Sequence, residues 1–95
     1  MTAYVVVDIE VTDPIAYEGY KKAAAESIAS MGGRYLTRGG KTEVLEGTWT
    51  PKRFVIIEFP SMKQLKEWYA SPGYAPLLAL RKMSTKTNLI VSEGV

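Results

Sequence analysis

The chain contains no cysteine and no histidine. Without cysteine there is no disulfide framework, no thiol nucleophile and no thiolate metal site. Without histidine, the commonest metal ligand and the usual general base near neutral pH are both missing. Haem held by histidine, zinc-dependent hydrolysis and Ser-His-Asp chemistry are thereby argued against, and no cofactor or metal is expected. A magnesium site would have to be built from oxygen ligands alone. Also missing is any apolar run near the roughly 20 residues that span a bilayer. Asp8 and Glu10 interrupt the N-terminal apolar stretch, which has no basic start, so a signal peptide is not expected and the default is a cytoplasmic protein without a membrane partner. The 12 Lys and Arg residues exceed the 10 acids only slightly and form no block, which gives no footprint for nucleic acid.

What is present is an ordinary soluble composition, 46% apolar and 23% charged over 95 residues, enough for a single domain spanning 1–95 with one modest core. Residues 3–11 are rich in Val and Ile and read as a strand. Asp13-Pro14 supplies an N-cap and a proline at the first helical position, after which Tyr17, Tyr20, Ala24, Ile28 and Met31 recur at helical spacing until Gly32-Gly33. A short strand over 34–38 ends at Gly39-Gly40, and 43–46 is expected to extend or pair with it. These glycine pairs read as turn closures, since no GxxxxGK[ST] or GxGxxG pattern is present. The most apolar strand covers 53–59. Ser61-Met-Lys-Gln64 has the form of a capping box and opens a helix through Leu65, Trp68 and Tyr69. Ser71-Pro72-Gly73 breaks this helix, 74–83 resumes it, and 87–93 is a last strand.

The order β-α-β-β-α-β predicts an α+β, ferredoxin-like sandwich, an antiparallel sheet with its helices on one face. Alternation sets Val5, Val7, Ile9, Val55, Ile57, Phe59, Leu89 and Val91 toward the helices. Tyr4, Val6, Phe54, Ile56 and Ile90 then form an apolar patch on the second face, which a second copy of the chain, sheet against sheet, is expected to cover.

Asp8 and Glu58 interrupt that second face, and an ionised carboxylate is costly to bury without a partner. The first and third strands are expected to be parallel neighbours at the centre of the sheet, with Asp8 and Glu58 together near their C-terminal ends. Arg34 falls near Glu58 and Asn88 near Asp8. The expectation is a polar cluster at one end of a cavity between two sheets, with Asp8 and Glu58 as candidate acid–base groups. Arg34, Arg38, Trp49, Tyr69 and Asn88 are the candidate ligand contacts. The plainer alternative is an interfacial ion-pair network that fixes dimer register. Trp68 is expected in core or rim packing, Trp49 against the second subunit, and Arg81 as a cap on helix carbonyls.

Taken along its whole length, the sequence resembles the bacterial family called domain of unknown function 1330, within the dimeric α+β barrel superfamily. The resemblance is carried by Tyr4-Val-Val-Val-Asp8-Ile9, Asp13-Pro14 with Tyr17 and Tyr20, Gly32-Gly33-Arg34-Tyr35 with Arg38-Gly39-Gly40, and Val44-Leu45-Glu46-Gly47 with Trp49. It continues through Ile57-Glu58-Phe59-Pro60-Ser61, Trp68-Tyr69, Ser71-Pro72-Gly73-Tyr74 and Leu80-Arg81. It implies a ferredoxin-like subunit whose sheet pairs with a partner's, and it supplies no reaction. The leading expectation is a homodimer binding a small organic molecule, anionic or aromatic, between the sheets. One alternative is a cofactor-free monooxygenase or isomerase using Glu58 or Asp8 as its base. Another is a purely structural interaction domain.

Overall fold

In the computed structural model, which describes residues 1–95, four strands form one sheet and three helices cover one of its faces. The strands are β1 (Ala3–Val11), β2 (Arg34–Arg38), β3 (Phe54–Phe59) and β4 (Thr85–Glu93), and the helices are α1 (Pro14–Ser30), α2 (Met62–Tyr69) and α3 (Ala75–Ser84). The local signals act as their chemistry requires. The Asp13 carboxylate accepts from the Ala16 N–H at 3.1 Å, capping α1 ahead of Pro14. Ser61 accepts from the Gln64 N–H at 3.1 Å at the start of α2. Gly33 lets the chain turn tightly off α1, because a Cβ there would come within 2.7 Å of Ile28 and 2.8 Å of Phe59.

The sheet order is β2-β3-β1-β4 and every neighbouring pair is antiparallel. The parallel pairing of β1 with β3 is therefore corrected. The crossover through α1 brings β2 back in the direction of β1, and β3, folding back from β2, must run against both. Tyr4 sits opposite Glu58, and Asp8 opposite Phe54. Asp8 and Glu58 lie four residues apart along the ladder, about 13 Å at the usual rise per residue. The expected strand at 43–46 is absent, and 39–53 crosses from β2 to β3 without regular structure. β4 begins two residues earlier than expected, with no loop after α3.

The alternation of faces holds. Val5, Val7, Ile9, Val55, Ile57 and Phe59 are buried beneath Tyr17, Tyr20, Ala24 and Ile28 of α1, Leu65 and Trp68 of α2, and Tyr74. Trp68 is at the centre of an aromatic cluster, its ring centroid 4.3 Å from that of Tyr74 and 5.3 Å from that of Phe59. Tyr4, Val6, Phe54 and Ile56 on the other face are half-buried, and Ile90 is exposed. The molecule measures 36 × 34 × 16 Å, and its short dimension is that of one sheet plus one layer of helices. No helix is long and apolar enough to cross a membrane.

Candidate functional site

The antiparallel register divides the expected cluster into two separate charge systems on the open face. At one end, Glu58 accepts from Arg34 Nε at 2.8 Å, a pair formed across the β2–β3 ladder. At the other end, Asp8 accepts three N–H donors. Its Oδ2 takes the Trp49 indole at 3.0 Å, and its Oδ1 takes the backbone amides of Lys52 at 2.8 Å and Arg53 at 3.3 Å. Partial desolvation pushes the Asp8 pKa up, but those three donors and the Lys52 charge together hold it below the ordinary carboxylate value. Asn88 faces Asp8 across the β1–β4 ladder as expected. A shallow groove of about 220 Å³ lies between Val6, Asp8, Trp49, Phe54, Asn88 and Ile90. Trp49 packs edge-on against Phe54 of its own chain, so its indole serves first to pin the 39–53 segment onto the sheet.

Arg38 and Tyr69 do not belong to that face. In a regular strand Arg34 and Arg38 would share a side. A bulge at Leu36 shifts the register between Tyr35 and Thr37, pairing Arg38 with Val55 and turning it toward the helices. There its guanidinium lies 4.5 Å from the Tyr35 ring centroid and donates to the Lys21 carbonyl at 2.9 Å. Tyr69 lies in the helix layer beside Trp68 and Tyr74, over a cleft shared with Leu65, Leu89 and Val91.

A cavity that sequence reasoning missed sits between sheet and helices. It holds about 20 Å³, room for one or two water-sized groups, and Tyr17, Tyr20, Tyr35 and Trp68 supply its aromatic wall. Four cations line it, Lys21, Arg38, Arg53 and Arg81, and no acid does. Arg81 is only 5% exposed. It does not cap α3, because the Ser84 and Thr85 hydroxyls donate to the Leu80 and Arg81 carbonyls at 2.7 and 2.6 Å. Its Nη1 makes a long 3.5 Å contact to the Tyr74 hydroxyl, and its Nε has no acceptor. The Tyr74 hydroxyl lies 2.6 Å from that of Tyr20.

Burial pushes the pKa of both phenols up. The Tyr74 charge adds to the rise at Tyr20, whereas at Tyr74 the Tyr20 hydrogen bond and the Arg81 guanidinium moderate it. Both phenols therefore stay protonated donors at neutral pH. The signal for this site was in the sequence: Tyr74 and Arg81 stand seven residues apart, two helical turns on one face of an otherwise apolar segment.

Comparison with known proteins agrees with the architecture. The model of the family described as Domain of unknown function (DUF1330) matches residues 2–95. A protein of unknown function from Rhodopseudomonas palustris superposes with a TM-score of 0.81 at 17% identity, over 99% of this chain and 82% of that one. SnoaB, a cofactor-independent oxygenase from Streptomyces nogalater, gives 0.69 at 14% identity over 99% and 93%. A dimeric ferredoxin-like protein of unknown function from Jannaschia sp. CCS1 gives 0.69 at 13% identity over 99% and 100%. No curated protein matches the chain.

Proposed function

The chain belongs to the DUF1330 family, which assigns it no reaction, and we propose that it is a homodimer in which each subunit binds a small organic anion between sheet and helices. The observation that carries this reading is Arg81, a buried guanidinium with no carboxylate in reach and an unused Nε donor. An unpaired buried charge is among the costliest features a small domain can retain, and an anionic ligand removes that cost. The tyrosines complete the receptor. If Tyr74 accepts from Arg81, its own hydrogen is free for Tyr20, and the Tyr20 hydrogen is left for a group in the cavity. A carboxylate, enolate or phenolate oxygen suits that donor chain. The closed volume admits only the charged head. The rest of the ligand lies toward Lys21, Arg38 and Arg53, which are less buried than Arg81.

The dimer follows from the open face. Tyr4, Val6, Phe54, Ile56 and Ile90 are contiguous across β3-β1-β4, and dimeric proteins of the same fold supply the precedent. In that setting the groove at Asp8 lies within the interface, and its polar groups help to fix register.

A second reading is enzymatic and uses the same pocket. The likeness to SnoaB and the buried donor chain favour a cofactor-free oxygenase that stabilises the enolate of an acidic substrate. Asp8 and Glu58 lie on the opposite face, so this reading gives them no contact with a substrate held there.

The test is thermal unfolding with benzoate as a minimal anionic probe. A ligand that binds only the folded state raises the midpoint by mass action. Benzoate is expected to stabilise the wild type and to leave Arg81→Met unmoved. Equal stabilisation of the two proteins, or of neither, sinks the reading.

A further inference from the structure

Separate local features deliver three arginines to the same cavity. The bulge at Leu36 turns Arg38 toward the helices. Gly39, at φ +68°, leaves space for the Arg53 guanidinium, into which a Cβ at that position would run. Asp8, on the far face, holds the Arg53 backbone N–H at 3.3 Å and so fixes where that side chain starts. The third arginine, Arg81, comes from the inner face of α3.

Their exposure is graded. Arg81 is buried, Arg53 is half-buried and Arg38 is exposed, which places Arg81 at the floor and the other two toward the mouth. None of the three has a carboxylate within 4.0 Å, whereas Lys21 beside them is paired with Glu18 at 2.8 Å. Both mouth guanidiniums are oriented by aromatic rings, Arg38 over Tyr35 at 4.5 Å and Arg53 over Tyr17 at 5.8 Å. Arg53 Nε also donates to the Tyr17 hydroxyl at 3.2 Å. A guanidinium so held is set up for bidentate recognition of an acid group.

We propose that the ligand is two-ended, a small planar diacid whose first carboxylate meets Arg81 and Tyr20 and whose second is taken at the mouth by Arg53 with Arg38. This rests on the anion-binding reading above and narrows it. The inner volume of about 20 Å³ accepts a single acid group, and the aromatic wall between floor and mouth suits a flat linker. A ligand with one acid would leave the mouth cations unanswered.

Calorimetric titration of benzoate against isophthalate, which share the ring and differ by one carboxylate, separates the two claims. Isophthalate is expected to bind wild type at least tenfold more tightly. Arg53→Gln should erase that advantage by weakening isophthalate at least tenfold more than it weakens benzoate, and Arg38→Gln should reduce it. Arg81→Met should abolish both ligands, and Arg34→Gln, on the opposite face, should change neither. Circular dichroism and melting of each variant show that it is folded. Benzoate binding that depends on Arg81 with no diacid advantage overturns the two-ended ligand and leaves the simpler reading standing. An advantage that survives both mouth substitutions, or is lost equally in Arg34→Gln, reflects general charge attraction and also overturns it. No binding of either probe removes both claims together.

Discussion

On the open face of the sheet, Glu58 meets Arg34 and Asp8 takes three N–H donors, whereas on the helix face Arg38, Arg53 and Arg81 surround a cavity without one carboxylate. Both faces are built on the same strands, alternate residues apart. Asp8 and Glu58 find their partners within the chain, and what that face lacks is cover for its apolar residues. The helix face has the reverse character: its apolar residues are packed, and its three arginines lack a carboxylate. The two proposed roles rest on this contrast, one side for a second copy of the protein and one for a small molecule.

The contrast can be broken most forcefully at Ile56. An aspartate in the middle of the open face should weaken the dimer by about a hundredfold or more, the effect of losing a central interface residue. Sedimentation would then show monomer at concentrations where wild type is dimeric. A dimer unaffected by Ile56→Asp would mean that the open face is not the interface.

Arg81→Met is the sharper test of the other side. Replacing an unpaired buried cation by an apolar side chain of similar length should raise the stability of the ligand-free protein by about 1–3 kcal/mol in urea unfolding. Loss of stability would show that the guanidinium serves the fold and does not await a ligand.

Asp8→Asn should cost about 1 kcal/mol near neutral pH, since the amide oxygen keeps fewer and weaker bonds than the carboxylate. The Asp8 pKa is depressed below its ordinary 3.8 in the folded protein. Its stabilisation is therefore present above that value and lost as pH falls below it toward the folded pKa. Wild type and variant should converge in stability as pH drops through that range, and a constant gap would contradict the role given to Asp8. The smallest effect is expected at Glu58→Gln. The Arg34 side chain in that pair is 71% exposed, and such pairs contribute about 0–1 kcal/mol. A drop well above that in urea unfolding would mark Glu58 as part of a more enclosed interface.

Much of the fold was legible because it depends on short-range chemistry. Strand alternation placed Val5, Val7 and Ile9 against the helices, Asp13-Pro14 began α1, and Ser71-Pro72-Gly73 separated α2 from α3. The candidate site was legible only in pieces. Arg34 with Glu58 and Asn88 with Asp8 were correctly paired, because each depends only on neighbouring strands. The joining of those pairs into one cluster failed because strand direction was misjudged, and direction is set by the whole connection through α1. Arg38 was placed on the wrong face because one bulged residue inverts the alternation, and nothing in Tyr35-Leu36-Thr37 announces a bulge.

The sequence by itself determined the family, the element order, the apolar face that packs and the second apolar face that the helices leave uncovered. These follow from periodicity, caps and turn residues, which act over a few positions. Only the tertiary structure decided which charges meet. Whether an arginine finds a carboxylate, as Arg34 does, or a tyrosine hydroxyl, as Arg53 does, depends on residues tens of positions away. The physical reason is that Coulomb and hydrogen-bond partners are chosen by distance in space, which chain direction and a single bulge can change completely while the pattern of apolar residues stays the same.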